Sequence, residues 1–166
     1  MFAELGTRLA DKRILLLGVG NRLRGDDAVG SLLVERLQGK VDILLIDAGD
    51  VPENYIGPIE ESAAEIVLVV DATDMGAKIG DMAIFDIEQV QGMSVSTHTA
   101  NLGLLFKVIP PERRPQVIML GIQPGNIEIG QGLSEPVSAT LELIEEIMVS
   151  LNQRSKDDKS DLPHLQ

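Results

Sequence analysis

The chain contains no cysteine and no tryptophan, and only one tyrosine among its 166 residues. Without cysteine there are no disulfides, thiolate nucleophiles or thiolate metal sites. Any metal must then be held by carboxylate, imidazole, carbonyl or water. The lack of an aromatic stacking platform argues against single-stranded nucleic acid as a partner. A net charge of −12 argues the same way, because it repels phosphate backbones. The opening "MFAELGTRLADKR" has no basic segment followed by an apolar run, so no secretory signal is expected there. The buried-looking apolar runs span only four to six residues, far short of a membrane crossing. These absences lead to the expectation of a cytoplasmic protein with no nucleic-acid partner and no membrane insertion. The acidic charge and the lack of a continuous apolar seam add the expectation of a monomer.

What the chain does have is a core vocabulary of Ile, Leu and Val, within a hydrophobic content of 44%. Five short runs read as strands: 13–19, 41–47, 65–71, 81–86 and 116–122. Most lack polar alternation, which indicates burial on both faces and hence a mainly parallel sheet covered by helices. The fourth follows the third after a short Gly-containing connection, and reads as an antiparallel hairpin partner rather than part of a crossover. Helical stripes fall over 28–37, about 100–108, and 135–151, the last with Ser134 as N-cap and Pro136 in its first turn. Phe2, Leu5 and Leu9 are spaced for a short helix leaning on the domain. The expected organisation is an N-terminal extension (1–12), one α/β domain (13–151) and a polar, flexible tail (152–166). The expected fold is a three-layer sandwich, an open twisted mostly parallel sheet of about five strands with helices on both faces.

Ligands of open α/β sheets sit beyond the carboxyl ends of the strands. There the first strand delivers Asn21, Asp26 and Asp27, the second Asp47, the third Asp71 and Asp74, and the connection after the fourth brings His98. Each has an ordinary reading. Asp26 or Asp27 can cap the helix beginning at Ala28, Asp47 and Asp71 can satisfy loop amides, and His98 lies between two threonines competent as N-caps. Convergence on one rim is what favours function.

The stretch "GVGNRLRGDDAVG" (18–30) invites a dinucleotide reading, with Gly18, Gly20 and Asp47 in place. Leu23 occupies the third glycine position, however, and two aspartates at the helix start oppose an anion. A phospho-acceptor receiver built on Asp71 lacks its fifth-strand lysine. A cation remains: Asp27, Asp71 and His98 suit a divalent metal such as nickel, zinc or manganese.

Five stretches, "LLLGVGNRLRGDDAVG", "LLIDAGDVPEN", "IVLVVDATDMG", "STHTANLGLL" and "MLGIQPG", occur in an order that resembles the maturation endopeptidases of nickel-iron hydrogenases. The likeness is greatest to the branch that processes the hydrogenase 3 large subunit, and extends from about Arg13 to Ser150. The resemblance implies that Asp27, Asp71 and His98 bind metal and that Asp47 is an acid important for activity. It also implies an activity: removal of a C-terminal extension from the precursor of a nickel-iron hydrogenase large subunit, once nickel has been inserted. The nickel then belongs to the substrate and is not a permanent cofactor, although other divalent metals suit the same site. Ala28 stands where the family pattern usually has glycine. On this reading the catalytic candidates are Asp27, Asp47 and Asp71, with Asp47 as a candidate base and an aspartic-type pair as the metal-free variant. Two readings from other classes stand beside it, a non-catalytic nickel-binding checkpoint protein and a nucleotide-binding α/β domain.

Overall fold

The computed structural model describes residues 1–90 and 97–160, excepting the side chains of residues 90, 97–100 and 154–160. Five strands, β1 (Ile14–Val19), β2 (Leu44–Gly49), β3 (Ile66–Ala72), β4 (Met82–Asp86) and β5 (Gln116–Ile122), form one sheet in the order β2-β1-β3-β5-β4. β1, β2, β3 and β5 run parallel, and β4 is antiparallel to β5. The expected mostly parallel α/β sandwich is the fold found.

Burial explains the order. Every residue of β3 is buried, as befits an uninterrupted apolar strand flanked on both edges by parallel neighbours. β4 is only partly buried along its length and takes the outer edge. The expected β3–β4 hairpin is therefore a misreading: β4 is antiparallel, but its partner is β5, registered as Met82 against Ile122 and Asp86 against Ile118. β2 also starts later than its apolar run. The ladder opens at Leu15 against Leu44, because the Asp42 N–H is already taken by Asn152 Oδ1 at 2.8 Å.

Among the described residues, five helices cover the sheet: α1 (Phe2–Leu9), α2 (Val29–Leu37), α3 (Ile56–Glu61), α4 (Thr97–Phe106) and α5 (Glu135–Ser160). On one face, α1, α2 and α5 bury Leu5, Leu33, Val137 and Leu141 against Leu16, Leu68 and Leu120. On the other, Ile59 of α3 and Leu102 and Phe106 of α4 pack on Leu15, Leu17, Val67, Val69 and Met119. A fully buried aliphatic side chain contributes roughly 1.5–3 kcal/mol, so each face is held by several independent anchors. α1 is part of this globule, with Leu5 and Leu9 buried at helical spacing and Arg8 paired with Asp86.

Two helices differ from the sequence expectation. α5 continues past Leu151 to Ser160. Apolar periodicity stops at residue 151, but nothing between there and Pro163 breaks a helix. α3 had no signal of its own: it has six residues, contains Gly57 and Pro58, and buries only Ile59. No helix among the described residues is long and apolar enough to cross a membrane.

Candidate active site

The turn after β1 is shaped by close approach of the chain to itself. Gly18 lies under α2 so tightly that a Cβ there would stand 2.3 Å from the Gly30 carbonyl oxygen. Gly20 has φ +126°, and a Cβ on it would stand 1.8 Å from the Asp27 carbonyl oxygen. The glycines therefore admit the protein's own helix and the Asp27 backbone, which accounts for them without a phosphate. The dinucleotide reading thereby loses its support from Gly18 and Gly20.

Neither aspartate of the pair caps α2. They lie in a 3-10 turn, Gly25–Ala28, and the N-cap position is Ala28 without a side-chain hydrogen bond. Asp26 is fully buried and points away to the loop between β5 and α5. Its carboxylate accepts from the N–H groups of Gly125 (2.7 Å), Asn126 (3.0 Å) and Ser134 (2.6 Å), and from the Ser134 hydroxyl (2.9 Å). Burial pushes its pKa up, but these donors together outweigh burial and hold it below the usual carboxylate range. Ser134, expected as a helix cap, spends its hydroxyl on this clamp.

Asp27 is half-buried and faces the rim. Its Oδ2 accepts the Asn21 N–H at 2.9 Å, and among the described residues no donor meets its other oxygen. The 3-10 turn packs against β3, at whose end Asp71 sits fully buried. Asp71 pairs with Gly121 of β5 and alternates with Val67 and Val69, so it belongs to the face covered by α3 and α4. A carboxylate buried in that position is costly unless it is paired or hydrogen-bonded. His98, the third residue of the expected trio, has its backbone in the first turn of α4. That helix packs near the turn following β2 and leads back to the start of β5, so its first turn is directed to the carboxyl rim. The side chain of His98 lies outside the described residues. Among those described, no three His, Asp or Glu side chains cluster at metal-binding range.

Asp47 does not join this group. It pairs with Gly18 on the α2 face of the sheet, beside a register shift that leaves Ala48 as an extra residue. Its Oδ1 accepts the Ser31 hydroxyl at 2.6 Å and the Gly49 N–H at 3.2 Å. Its Oδ2 accepts Arg22 Nε at 3.2 Å and Nη2 at 2.9 Å. Burial raises its pKa, but Ser31, Arg22 and Gly49 more than offset that and keep the carboxyl ionised. Arg22 is also paired with Glu35, and those partners raise its own pKa. A carboxylate with both oxygens engaged and a depressed pKa is a poor proton acceptor.

Gln123, quoted within "MLGIQPG" but given no role by sequence reasoning, organises the loop after Asp71. Its Oε1 accepts the N–H of Met75 (2.7 Å) and Ala77 (3.2 Å), and its Nε2 donates to Asp74 Oδ1 at 3.1 Å. Only its place directly after a buried strand could have marked it.

Comparison with known proteins bears on the fold and the family. Residues 28–151 match the family model described as HycI, hydrogenase maturation protease. The hydrogenase 3 maturation protease of Escherichia coli is 36% identical over 133 residues, 78% of this chain and 85% of that protein. The crystal structure of the NiFe hydrogenase maturation protease HycI from Thermococcus kodakarensis superposes with a TM-score of 0.81 at 32% identity, covering 90% of this chain and 99% of that one. The solution structure of the Escherichia coli endopeptidase HycI gives a TM-score of 0.73 at 32% identity, covering 82% and 89%. The fold is thus shared with proteins of one activity, and this chain belongs to the hydrogenase maturation protease family.

Proposed function

We propose that this protein is the endopeptidase that removes the C-terminal extension of a nickel-iron hydrogenase large-subunit precursor, after nickel has been inserted into it. The observation that carries the reading is the delivery of Asp27 and Asp71 to one carboxyl rim, one by the turn after β1 and the other by the adjacent strand β3. The α4 turn bearing His98 is directed to the same rim.

In this reading Asp27, Asp71 and His98 grip nickel carried by the substrate. That grip registers the scissile peptide against the rim, a positioning effect. The substrate's nickel polarises the carbonyl or the attacking water. Water adds to the carbonyl carbon, and a rim carboxylate takes its proton and returns it to the leaving nitrogen. The C–N bond then breaks to give a new carboxylate and a free amine. Asp47 acts at one remove, by holding Arg22 and Ser31 around the turn that carries Asp27. The protein works as a cytoplasmic monomer.

The test is to incubate purified protein with nickel-loaded and nickel-free precursor, reading loss of the C-terminal tail by mass. Cleavage confined to the loaded precursor is expected. Equal cleavage of both overturns registration by nickel, and leaves a carboxylate pair sharing a proton as the mechanism.

A further inference from the structure

The two loops that frame Asp27 also carry an apolar surface with no role in the chemistry above. Leu23, Ile127 and Ile129 are 70%, 47% and 78% exposed, yet all three sit in tightly fixed chain. Gly130 N–H donates to the Leu23 carbonyl at 2.8 Å, and Asp26 N–H to that of Asn126 at 2.7 Å. Arg24 Nε donates to the Ile127 carbonyl at 3.2 Å. The Asp26 carboxylate braces the whole from behind through Gly125, Asn126 and Ser134. Scattered exposed aliphatics need no explanation, but three on adjoining braced loops beside a site mark a contact surface.

Charge beside these side chains narrows the occupant. Arg22 is neutralised by Glu35 and Asp47, whereas Arg24 is exposed and no carboxylate among the described residues lies within ion-pair range of it. On a chain of net charge −12, it is a local attraction for an acid that the rest of the surface repels.

We propose that Leu23, Ile127, Ile129 and Arg24 form the docking surface for the C-terminal extension of the precursor. An apolar side chain of the extension seats on Leu23 and Ile129, and a carboxylate of the extension pairs with Arg24. Leu23 and Asp27 belong to one turn, in which the Asp27 N–H donates to the Arg24 carbonyl at 3.0 Å, so the patch adjoins the rim carboxylate. The inference rests on the proteolytic reading above. It adds where the leaving segment binds and which chemistry recognises it. Because the surface is assembled before the substrate arrives, docking there requires no ordering of the loops.

The experiment is steady-state cleavage of nickel-loaded precursor by the full-length protein, Leu23→Ser/Ile129→Ser and Arg24→Glu. Each variant is expected to raise KM about tenfold with kcat held within about twofold, the signature of lost ground-state binding. Raised salt is expected to raise KM for the wild type and for the apolar double variant, which keeps Arg24, and not for Arg24→Glu, which has already lost the ion pair. Wild-type KM in both variants overturns the docking surface while leaving the protease intact. Light scattering that shows a wild-type dimer lost in the double variant also overturns it, by giving the patch to a second copy. A wild-type protein that leaves loaded precursor uncut brings down the proteolytic reading, and this inference with it.

Discussion

Asp47 and Asp71 end strands separated only by β1, yet they belong to opposite faces of the sheet. Asp47 pairs with Gly18 and bonds to Ser31 of α2, while Asp71 continues the alternation of Val67 and Val69 toward α3 and α4. The difference follows from the period of two along a strand, and it separates an acid that holds structure from one proposed to serve the rim.

Asp47→Asn therefore tests position against chemistry. The amide oxygen still accepts from Ser31, but its nitrogen cannot accept from Arg22. We expect kcat/KM to fall about tenfold with the acid limb of the pH profile in place. A loss beyond about a thousandfold together with disappearance of that limb would restore Asp47 as the base.

Asp27→Asn, Asp71→Asn and His98→Gln are each expected to abolish processing while leaving the circular dichroism spectrum and the thermal transition near wild type. A fully active variant removes that residue from the site.

Asp26→Ala is expected to do the reverse, lowering stability first. It leaves three loop N–H groups without their charged acceptor, a loss on the order of 3 kcal/mol, or roughly 10 °C in Tm. The pH dependence has a definite sign. A carboxylate held below its ordinary value contributes fully above the unfolded pKa of about 3.9, and its contribution is lost as pH falls through the folded value. Wild-type Tm should then fall more steeply than that of Asp26→Ala as the pH is lowered from about 5 through the ordinary carboxylate range and below it. Parallel curves would show that Asp26 carries no such linkage.

Gly20→Ala places a methyl against the Asp27 carbonyl at a backbone angle that L-residues avoid. A cost of about 1–3 kcal/mol is expected. Processing should fall further than the folded fraction explains, because the substitution displaces Asp27 itself. Wild-type turnover per folded molecule would sever the link between the turn and the site.

Most of the fold was legible because its signals are local. The central strands are uninterrupted apolar runs, and α2 and α5 carry apolar stripes long enough to read. β4 was legible as antiparallel but not in its partner, since strand order depends on long-range pairing. α3 was hidden by Gly57 and Pro58. At the site, Asp27 and Asp71 could be named from the strand ends. The division of labour within the Asp26–Asp27 pair could not, because Asp26 takes its partners from a loop about a hundred positions away. The engagement of Asp47 by Arg22 was equally invisible: side-chain direction across the sheet decides it, and one-dimensional spacing does not encode that.

The Asp26 clamp also decides how the molecule comes apart. Freeing the loop that precedes α5 means breaking four hydrogen bonds to one buried carboxylate, so the rim and the start of the last helix open together or not at all. The amides of Gly125, Asn126 and Ser134, which sit on or beside a surface loop, should exchange their hydrogens as slowly as amides well inside the sheet. Exchange that slow would tie the proteolytic face of this protein to its most stable unit.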